Sequence, residues 1–570
     1  MCHNSPLFSA WLNSSATPVV AFGPRTGLTE RDLIDNRFHC HLAGATPRRH
    51  PASWNVTPVT PAARSRRVLC ALTATAATLA TFSTPTRAAP APRTESAETH
   101  TGAHPSASLR FGACPESVPT PPAPDRVECG TLDVPLDRDE PGGGKRIGIA
   151  VSRVPASGTP GERRGILLVN PGGPGGSGLP YAVTKRAKLP ESVRRAYDVI
   201  GFDPRGTGHS APADCGATGG LFDSPGADPV PVGKAAEKTY LASLDRMADD
   251  CAAGVADALP HLSTAATVRD MDAVRAALGE SRTSFLGVSY GSYLGAAYAA
   301  RFPHRVDRMV LDSVVGPWDW HDFDVRQSRE LLRQREVFFA WAARHENRFG
   351  LGGDAAAVRS AYERTRRGLA ARPQDGFGPA EFDRAVYRAL GRTERWAPLA
   401  DGVRAYLRDG GVAGLRPAEP FGNPGSRTFE AANRSVKCAD GPGPTPSRVI
   451  ADLHRIRRED PQPVLTGWEA AACAYWHHRP HRRTPLGSPA APPVLLVASE
   501  HDPVTPIEGA RQLRHRLPGS RLITLREDYS HGVFASRGNP CVDRATAAYL
   551  IGGTVPRTDV HCTGPGLPTP

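Results

Sequence analysis

Thr283-Ser284-Phe285-Leu286-Gly287-Val288-Ser289-Tyr290-Gly291-Ser292-Tyr293-Leu294-Gly295-Ala296 places a G-x-S-x-G pentad between a short β-prone run and a stretch dense in small residues. The first part predicts a strand. The stretch from Tyr290 to Ala300 predicts a helix that lies close to a sheet and ends at Phe302-Pro303. The turn between them must be sharp, and Gly287 and Gly291 leave room where side chains would collide, so Ser289 projects from its apex. A serine presented in this way is a candidate nucleophile. A strand feeding directly into a helix points to an α/β fold.

Working outward, seven further β-branched runs accompany Thr283–Gly287: Thr131–Leu136, Ile147–Val154, Gly165–Val169, Tyr197–Phe202, Arg308–Leu311, Val494–Ala498 and Arg521–Leu525. Helical stretches separate the later ones, including Thr264–Leu278, which stops at Gly279. This alternation predicts a mostly parallel, doubly wound sheet. From Pro317 to about Pro489 the strand signal gives way to amphipathic helical segments such as Arg326–His345 and Pro379–Leu390. We expect core segments at 111–316 and 490–570, with a helical cap at 317–489 inserted after the sixth strand over the carboxyl ends of the strands. The Gly- and Pro-rich stretches near 420–445 read as loops between cap helices.

A serine hydroxyl needs a base to take its proton and a carboxylate to orient that base. After such an elbow the acid and then the histidine come from later turns. Asp502 follows the run Val494–Ala498, and His531 lies in Asp528-Tyr529-Ser530-His531-Gly532-Val533 after the last predicted strand. Asp312, ending Met309-Val310-Leu311-Asp312, is the rival acid; His501 and His515 are the competing histidines. Two backbone N–H donors must face the developing oxyanion. Tyr290 offers one, and Gly172 or Gly173 the other, in the loop Asn170-Pro171-Gly172-Gly173-Pro174-Gly175-Gly176-Ser177-Gly178. That loop is no phosphate cradle, because Pro171 and Pro174 remove donors and the Lys of a P-loop is missing. In Asp203-Pro204-Arg205-Gly206-Thr207-Gly208-His209-Ser210, Asp203 and Arg205 are suited to pinning neighbouring loops.

The 570 residues allow a large core and an insertion. Half of the net charge of +12 falls in residues 1–88, where nine Arg face three acidic residues. The later chain has no basic block with interleaved aromatics, so no nucleic-acid partner is expected. No apolar run is long enough for a membrane span. Arg64, Arg66 and Arg67 precede the apolar run Val68–Phe82 and then Ser83-Thr84-Pro85-Thr86-Arg87-Ala88-Ala89. This is the layout of an export signal cleaved after Ala88 or Ala89, so 1–88 reads as an N-terminal extension and signal. Its distance from Met1 implies a translation start downstream of Met1. Residues 89–110 have the composition of a flexible linker. Eight of the eleven Cys follow the cleavage point, and an even count in an oxidising compartment favours disulfides over metal ligation. No cofactor or metal is expected.

Together with Cys129-Gly-Thr-Leu-Asp-Val-Pro-Leu-Asp137, Arg269-Asp-Met-Asp272, Leu294-Gly-Ala296, Asp502-Pro-Val-Thr-Pro506 and Ser530-His531-Gly532, these motifs resemble the secreted tripeptidyl aminopeptidases of the α/β-hydrolase superfamily, relatives of the proline iminopeptidases. The resemblance runs from Cys114 to Cys562. It implies a triad of Ser289, Asp502 and His531 and an oxyanion hole helped by the Gly-rich loop. It also implies an exopeptidase pocket shaped by the cap and peptide substrates with a free N-terminus. With its aid, neighbouring cysteines pair as Cys114–Cys129, Cys215–Cys251, Cys438–Cys473 and Cys541–Cys562. Ser292 departs from the Thr expected there. A free α-ammonium calls for a carboxylate in the pocket, for which Glu430, Asp440 and Glu469 remain open candidates. A carboxylesterase or lipase using the same triad is the alternative activity.

Overall fold

The computed structural model describes residues 109–140, 142, 144–216, 228–416, 424–463, 468–478 and 482–570. The export signal and nearly all of the linker lie outside the described residues. Nine strands form one sheet: β1 (Glu128–Pro135), β2 (Arg146–Val154), β3 (Gly165–Asn170), β4 (Tyr197–Phe202), β5 (Thr283–Val288), β6 (Val306–Asp312), β7 (Leu495–Ser499), β8 (Arg521–Arg526) and β9 (Val560–Thr563). Their order is β1-β2-β4-β3-β5-β6-β7-β8-β9. β2 runs antiparallel to β1 and β4, and every other pairing is parallel. The chain crosses the sheet by helices, so both faces of the central strands are covered and β3, β4, β5 and β7 are buried along their whole length.

Alternation along the strands sorts the core into two layers. Leu168, Ile200, Phe202, Phe285, Met309, Leu311 and Leu496 pack on one face. Leu167, Val169, Val199, Leu286, Val310, Leu495, Val497 and Ile523 pack on the other. Fully burying an aliphatic side chain of this kind stabilises by about 1.5–3 kcal/mol.

All eight sequence-predicted strands are present. β9 is a ninth, and its sequence Val560-His561-Cys562-Thr563 is too short and polar to signal itself; in the sequence Cys562 stands out only as a half-cystine. Between β6 and β7 no strand occurs among the described residues. The helices there include Trp320–Arg344, Ala355–Ala371, Pro379–Leu390, Trp396–Asp409, Pro424–Ala439 and Pro446–Glu459. The first four of these bury an aromatic core of their own around Phe338, Phe339, Trp341, Tyr362, Phe382 and Trp396. The helix Pro424–Ala439 corrects the reading of 420–445 as loop. Its glycines and prolines stand only at the flanks, where a first-turn Pro suits a helix start, while Ser426–Ala439 contains neither.

Candidate active site

The parallel strands deliver their carboxyl ends to one edge of the sheet. Ser289 ends β5 and begins the helix Tyr290–Arg301 with φ +60° and ψ −126°, a conformation that costs a non-glycine residue energy. The strain persists because the turn is clamped. The Ser289 N–H donates to the Asp312 carbonyl at 3.0 Å, and Ser292 Oγ donates to the Ser289 carbonyl at 2.6 Å while accepting the Val315 N–H at 2.9 Å. A Cβ on Gly287 would lie 2.1 Å from the Gly291 carbonyl oxygen, and one on Gly291 would lie 2.7 Å from that of Asn170. Both glycines are therefore required by close approach. Ser292, standing where a Thr was expected, supplies the hydroxyl of this clamp.

His531 and Asp502 meet directly. His531 Nδ1 lies 2.9 Å from Asp502 Oδ2 and 3.1 Å from Oδ1. Asp502 Oδ1 also accepts the N–H groups of Val504 and Thr505, at 2.8 and 3.0 Å, and Oδ2 accepts the Thr505 hydroxyl at 2.8 Å. Burial by itself would raise the Asp502 carboxyl; the charge and hydrogen bond of His531, with the Thr505 donors, outweigh it and hold the group below the ordinary aspartate value. Thr505 was not singled out in the sequence. The available signal was its place three residues after the acid, where a hydroxyl can close a turn on a carboxylate.

Asp312 occupies a different role in the geometry. Its buried carboxylate accepts the N–H groups of Val533, at 3.1 Å, and Phe534, at 2.9 Å, and the neighbouring Ser313 Oγ accepts the Gly532 N–H at 2.8 Å. The residues just after His531 are thus bolted to the end of β6, beside the elbow. Desolvation raises the Asp312 carboxyl despite Lys185 and those two amides. His501 stacks on Tyr529 with ring centroids 4.5 Å apart, and His515 is exposed at the end of the helix Ile507–Arg514. Among the described residues, neither imidazole is hydrogen-bonded to Asp502.

Ser289 and His531 line one cavity of about 530 Å³ together with Gly172, Gly173, Val315, Trp320, Phe323, Tyr387, Phe429 and Glu469. The Gly172 N–H is engaged by Asn170 Oδ1 at 3.0 Å, and a Cβ on Gly172 would stand 2.8 Å from that of Ser289. Asp203 holds the other end of the Gly-rich loop, accepting from Ser177 Oγ, Gly178 N and Leu179 N at 2.6, 2.9 and 3.1 Å. Buried Arg205 forks onto Asp270 at 2.7 and 2.9 Å and reaches the Leu136 carbonyl at 2.7 Å. The helix Pro424–Ala439 closes over the loop, with Asn433 Nδ2 donating to the Pro174 carbonyl at 3.0 Å.

Of the three acids considered for an amine, Glu469 lines this cavity, 3.2 Å from Arg434. Glu430 pairs with Arg384 at 2.8 Å. Asp440 accepts the Thr264 N–H at 2.8 Å and its hydroxyl at 2.5 Å, and Thr264 Oγ1 in turn meets the Tyr290 hydroxyl at 2.8 Å. Disulfides join Cys114 to Cys129, Cys215 to Cys251, Cys438 to Cys473 and Cys541 to Cys562. Among the described residues there is no group of three or more His, Cys, Asp or Glu able to hold a metal ion. No described helix is long and apolar enough to cross a membrane.

The pattern of the α/β hydrolase fold matches residues 165–376, and that of the TAP-like proteins matches residues 462–562. The tripeptidyl aminopeptidase of Streptomyces lividans is 37% identical over 463 residues, covering 78% of this chain and 86% of that protein. The chain belongs to the tripeptidyl aminopeptidase family. As a member of that family it is a serine hydrolase of the α/β-hydrolase fold, and its relatives make it a serine peptidase. Serine protease Hip1 of Mycobacterium tuberculosis is similar to this tripeptidyl aminopeptidase family member at 31% identity, over 80% of the chain and 91% of Hip1. Carboxylesterase B of the same organism is similar at 32%, over 79% of the chain and 89% of that protein.

Proposed function

We propose that the chain is a secreted exopeptidase that releases short peptides, tripeptides as its Streptomyces relatives are named for, from the free amino end of peptide substrates. The observation that carries this reading is the joint lining of one cavity by Ser289, His531 and a carboxylate, Glu469. In the proposed reaction Ser289 Oγ attacks the substrate carbonyl carbon and His531 Nε2 takes the hydroxyl proton. Asp502, bonded to Nδ1, holds the ring's tautomer and stabilises the imidazolium. The N–H groups of Tyr290 and Gly173 receive the oxyanion, while Gly172, its own amide engaged by Asn170, lets the substrate carbonyl approach. Collapse breaks the peptide bond, the departing amine takes the proton from His531, and water then cleaves the acyl-enzyme. The substrate's α-ammonium pairs with Glu469 in the same space; Glu430 and Asp440 are engaged elsewhere. The helical segment 317–489 acts as the cap that encloses it.

Four disulfides support export, and the mature N-terminus is expected just after Ala88 or Ala89. Sequencing the secreted protein's first residues tests this; Met1 at the start would refute it. For the activity, the test is a panel of peptidyl anilides of different lengths, with free or acetylated amino ends. Free tripeptidyl substrates should be preferred, and Ser289→Ala should abolish both turnover and fluorophosphonate labelling. Equal turnover of acetylated and free substrates would count against an exopeptidase. The likeness to carboxylesterase B supports a second reading, an esterase using the same triad. Faster turnover of acyl esters than of any peptide amide would select it.

A further inference from the structure

The turn between the helices Pro379–Leu390 and Trp396–Asp409 is fastened to the loop that carries His531. The Gly391 carbonyl accepts the His531 N–H at 2.9 Å, and Ser530 Oγ lies 3.2 Å from the Thr393 N and 3.1 Å from its hydroxyl. Arg392 and Arg395, on this turn, line the same cavity as Ser289 and His531. The acid between them, Glu394, is engaged by Arg537 at 3.2 Å and by Arg392 at 3.7 Å. Burial would raise the Glu394 carboxyl, yet its own amide and these two guanidiniums hold it below the ordinary value, so it is ionised and offsets one positive charge. Arg395 has no carboxylate partner among the described residues. The turn therefore brings an excess of guanidinium to the cavity beside the imidazole.

The chemistry says which part of a substrate meets this charge. In acyl transfer the imidazole returns its proton to the departing amine, so the departing segment must lie against His531. A segment in that place also lies under the Gly391–Arg395 turn. We propose that Arg392 and Arg395 form a carboxylate-binding subsite for the leaving segment, so that the enzyme favours peptides with a carboxylate within a residue or two after the scissile bond. That carboxylate is either an acidic side chain or the free C-terminus of a short peptide. Planar guanidiniums suit it because they can donate two parallel N–H bonds. The inference rests on the peptidase reading given above.

Matched peptides with free amino ends test it, identical up to the scissile bond. One arm compares Asp or Glu with Asn or Gln after that bond, and the other compares free with amidated C-termini on short peptides. A tripeptidyl anilide, whose leaving group has no carboxylate, monitors catalysis itself. Two partly exposed ion pairs predict a kcat/KM about fivefold higher for the carboxylate member of each pair, shrinking as salt is raised. In an Arg392→Gln/Arg395→Gln variant that still cleaves the anilide, the ratio should fall towards one. A preference in the first arm alone identifies the side chain as the source, and one in the second alone identifies the terminus. Equal turnover within both pairs by the wild type, or a ratio that survives the double substitution, overturns the subsite while leaving the peptidase reading intact. No turnover of any substrate, anilide included, removes both.

Discussion

Two carboxylates stand at the ends of adjacent strands, and only their hydrogen-bond partners distinguish what each does. Asp502 faces the imidazole, whereas Asp312 is filled by the amides of Val533 and Phe534. Replacing each with Asn separates these roles. Asp502→Asn presents an N–H where the ring needs an acceptor, and kcat should fall on the order of 10⁴-fold. Asp312→Asn leaves one oxygen for the loop and costs about 1–3 kcal/mol of stability, with a much smaller loss of kcat. Large kcat losses in the reverse order would assign the triad acid to Asp312. The pH dependence follows from the same residue. Because the folded Asp502 is held below its ordinary value, its contribution to stability is present above the unfolded carboxyl's pKa of about 3.9 and is lost as the pH falls through the lower folded value. The stability gap between wild type and Asp502→Asn, measured by urea unfolding, should therefore be full at pH 6 and close progressively below about pH 4. A gap that widened on acidification would contradict the sign.

At the scale of elements, the close seat of the helix Pro424–Ala439 on the Gly-rich loop ties the insertion to the edge of the sheet that carries Ser289. A Cβ on Gly175, where φ is +98°, would stand 2.5 Å from the Phe429 carbonyl oxygen, a backbone atom that cannot swing aside. Gly175→Ala should thus displace the helix or the loop, costing about 1–3 kcal/mol and raising KM, because Phe429 and Glu469 line the same cavity as Ser289 and His531. Steady-state kinetics with thermal unfolding would show this; wild-type KM in the variant would mean that the helix does not shape the site. This contact was not legible in the sequence, since Gly175 read only as part of a turn and 420–445 read as loop. Flanking glycines and prolines masked the helix, and β9 was masked by its length. What could be read was local: the clash-driven glycines around Ser289, the apolar runs of the central strands, and the acid and histidine after late strands. The filling of Asp312 by the amides of Val533 and Phe534, and the place of Glu469 in the cavity of Ser289 and His531, depend on contacts between segments far apart in the chain, which no local pattern carries.

Across the whole molecule, three of the four disulfides divide between the edges of the sheet and the cavity. Cys129 lies in β1 and Cys562 in β9, so Cys114–Cys129 and Cys541–Cys562 staple the two edges of the sheet, where a strand has neighbours on one side only. Cys438–Cys473 instead joins the end of the helix Pro424–Ala439 to the short 3₁₀ helix Glu469–Tyr475, which begins with Glu469 itself. Loop-closure entropy gives these bonds similar weight. They enclose 15, 21 and 35 residues, and each doubling of loop length adds only about 0.6 kcal/mol to a stabilisation of about 2–4 kcal/mol. Removing the pairs one at a time by Cys→Ser substitution should therefore lower stability by comparable amounts. The effect on catalysis should not be comparable. Loss of Cys438–Cys473 frees the segment bearing Glu469 and should raise KM several-fold for substrates with a free amino end, while acetylated substrates change little. Loss of Cys541–Cys562 should leave KM for both kinds of substrate near the wild-type value at temperatures where the variant stays folded. Equal changes in KM from the two variants would mean that the edge and the cavity are not energetically separate, and would remove Glu469 as the group that reads the substrate's amine.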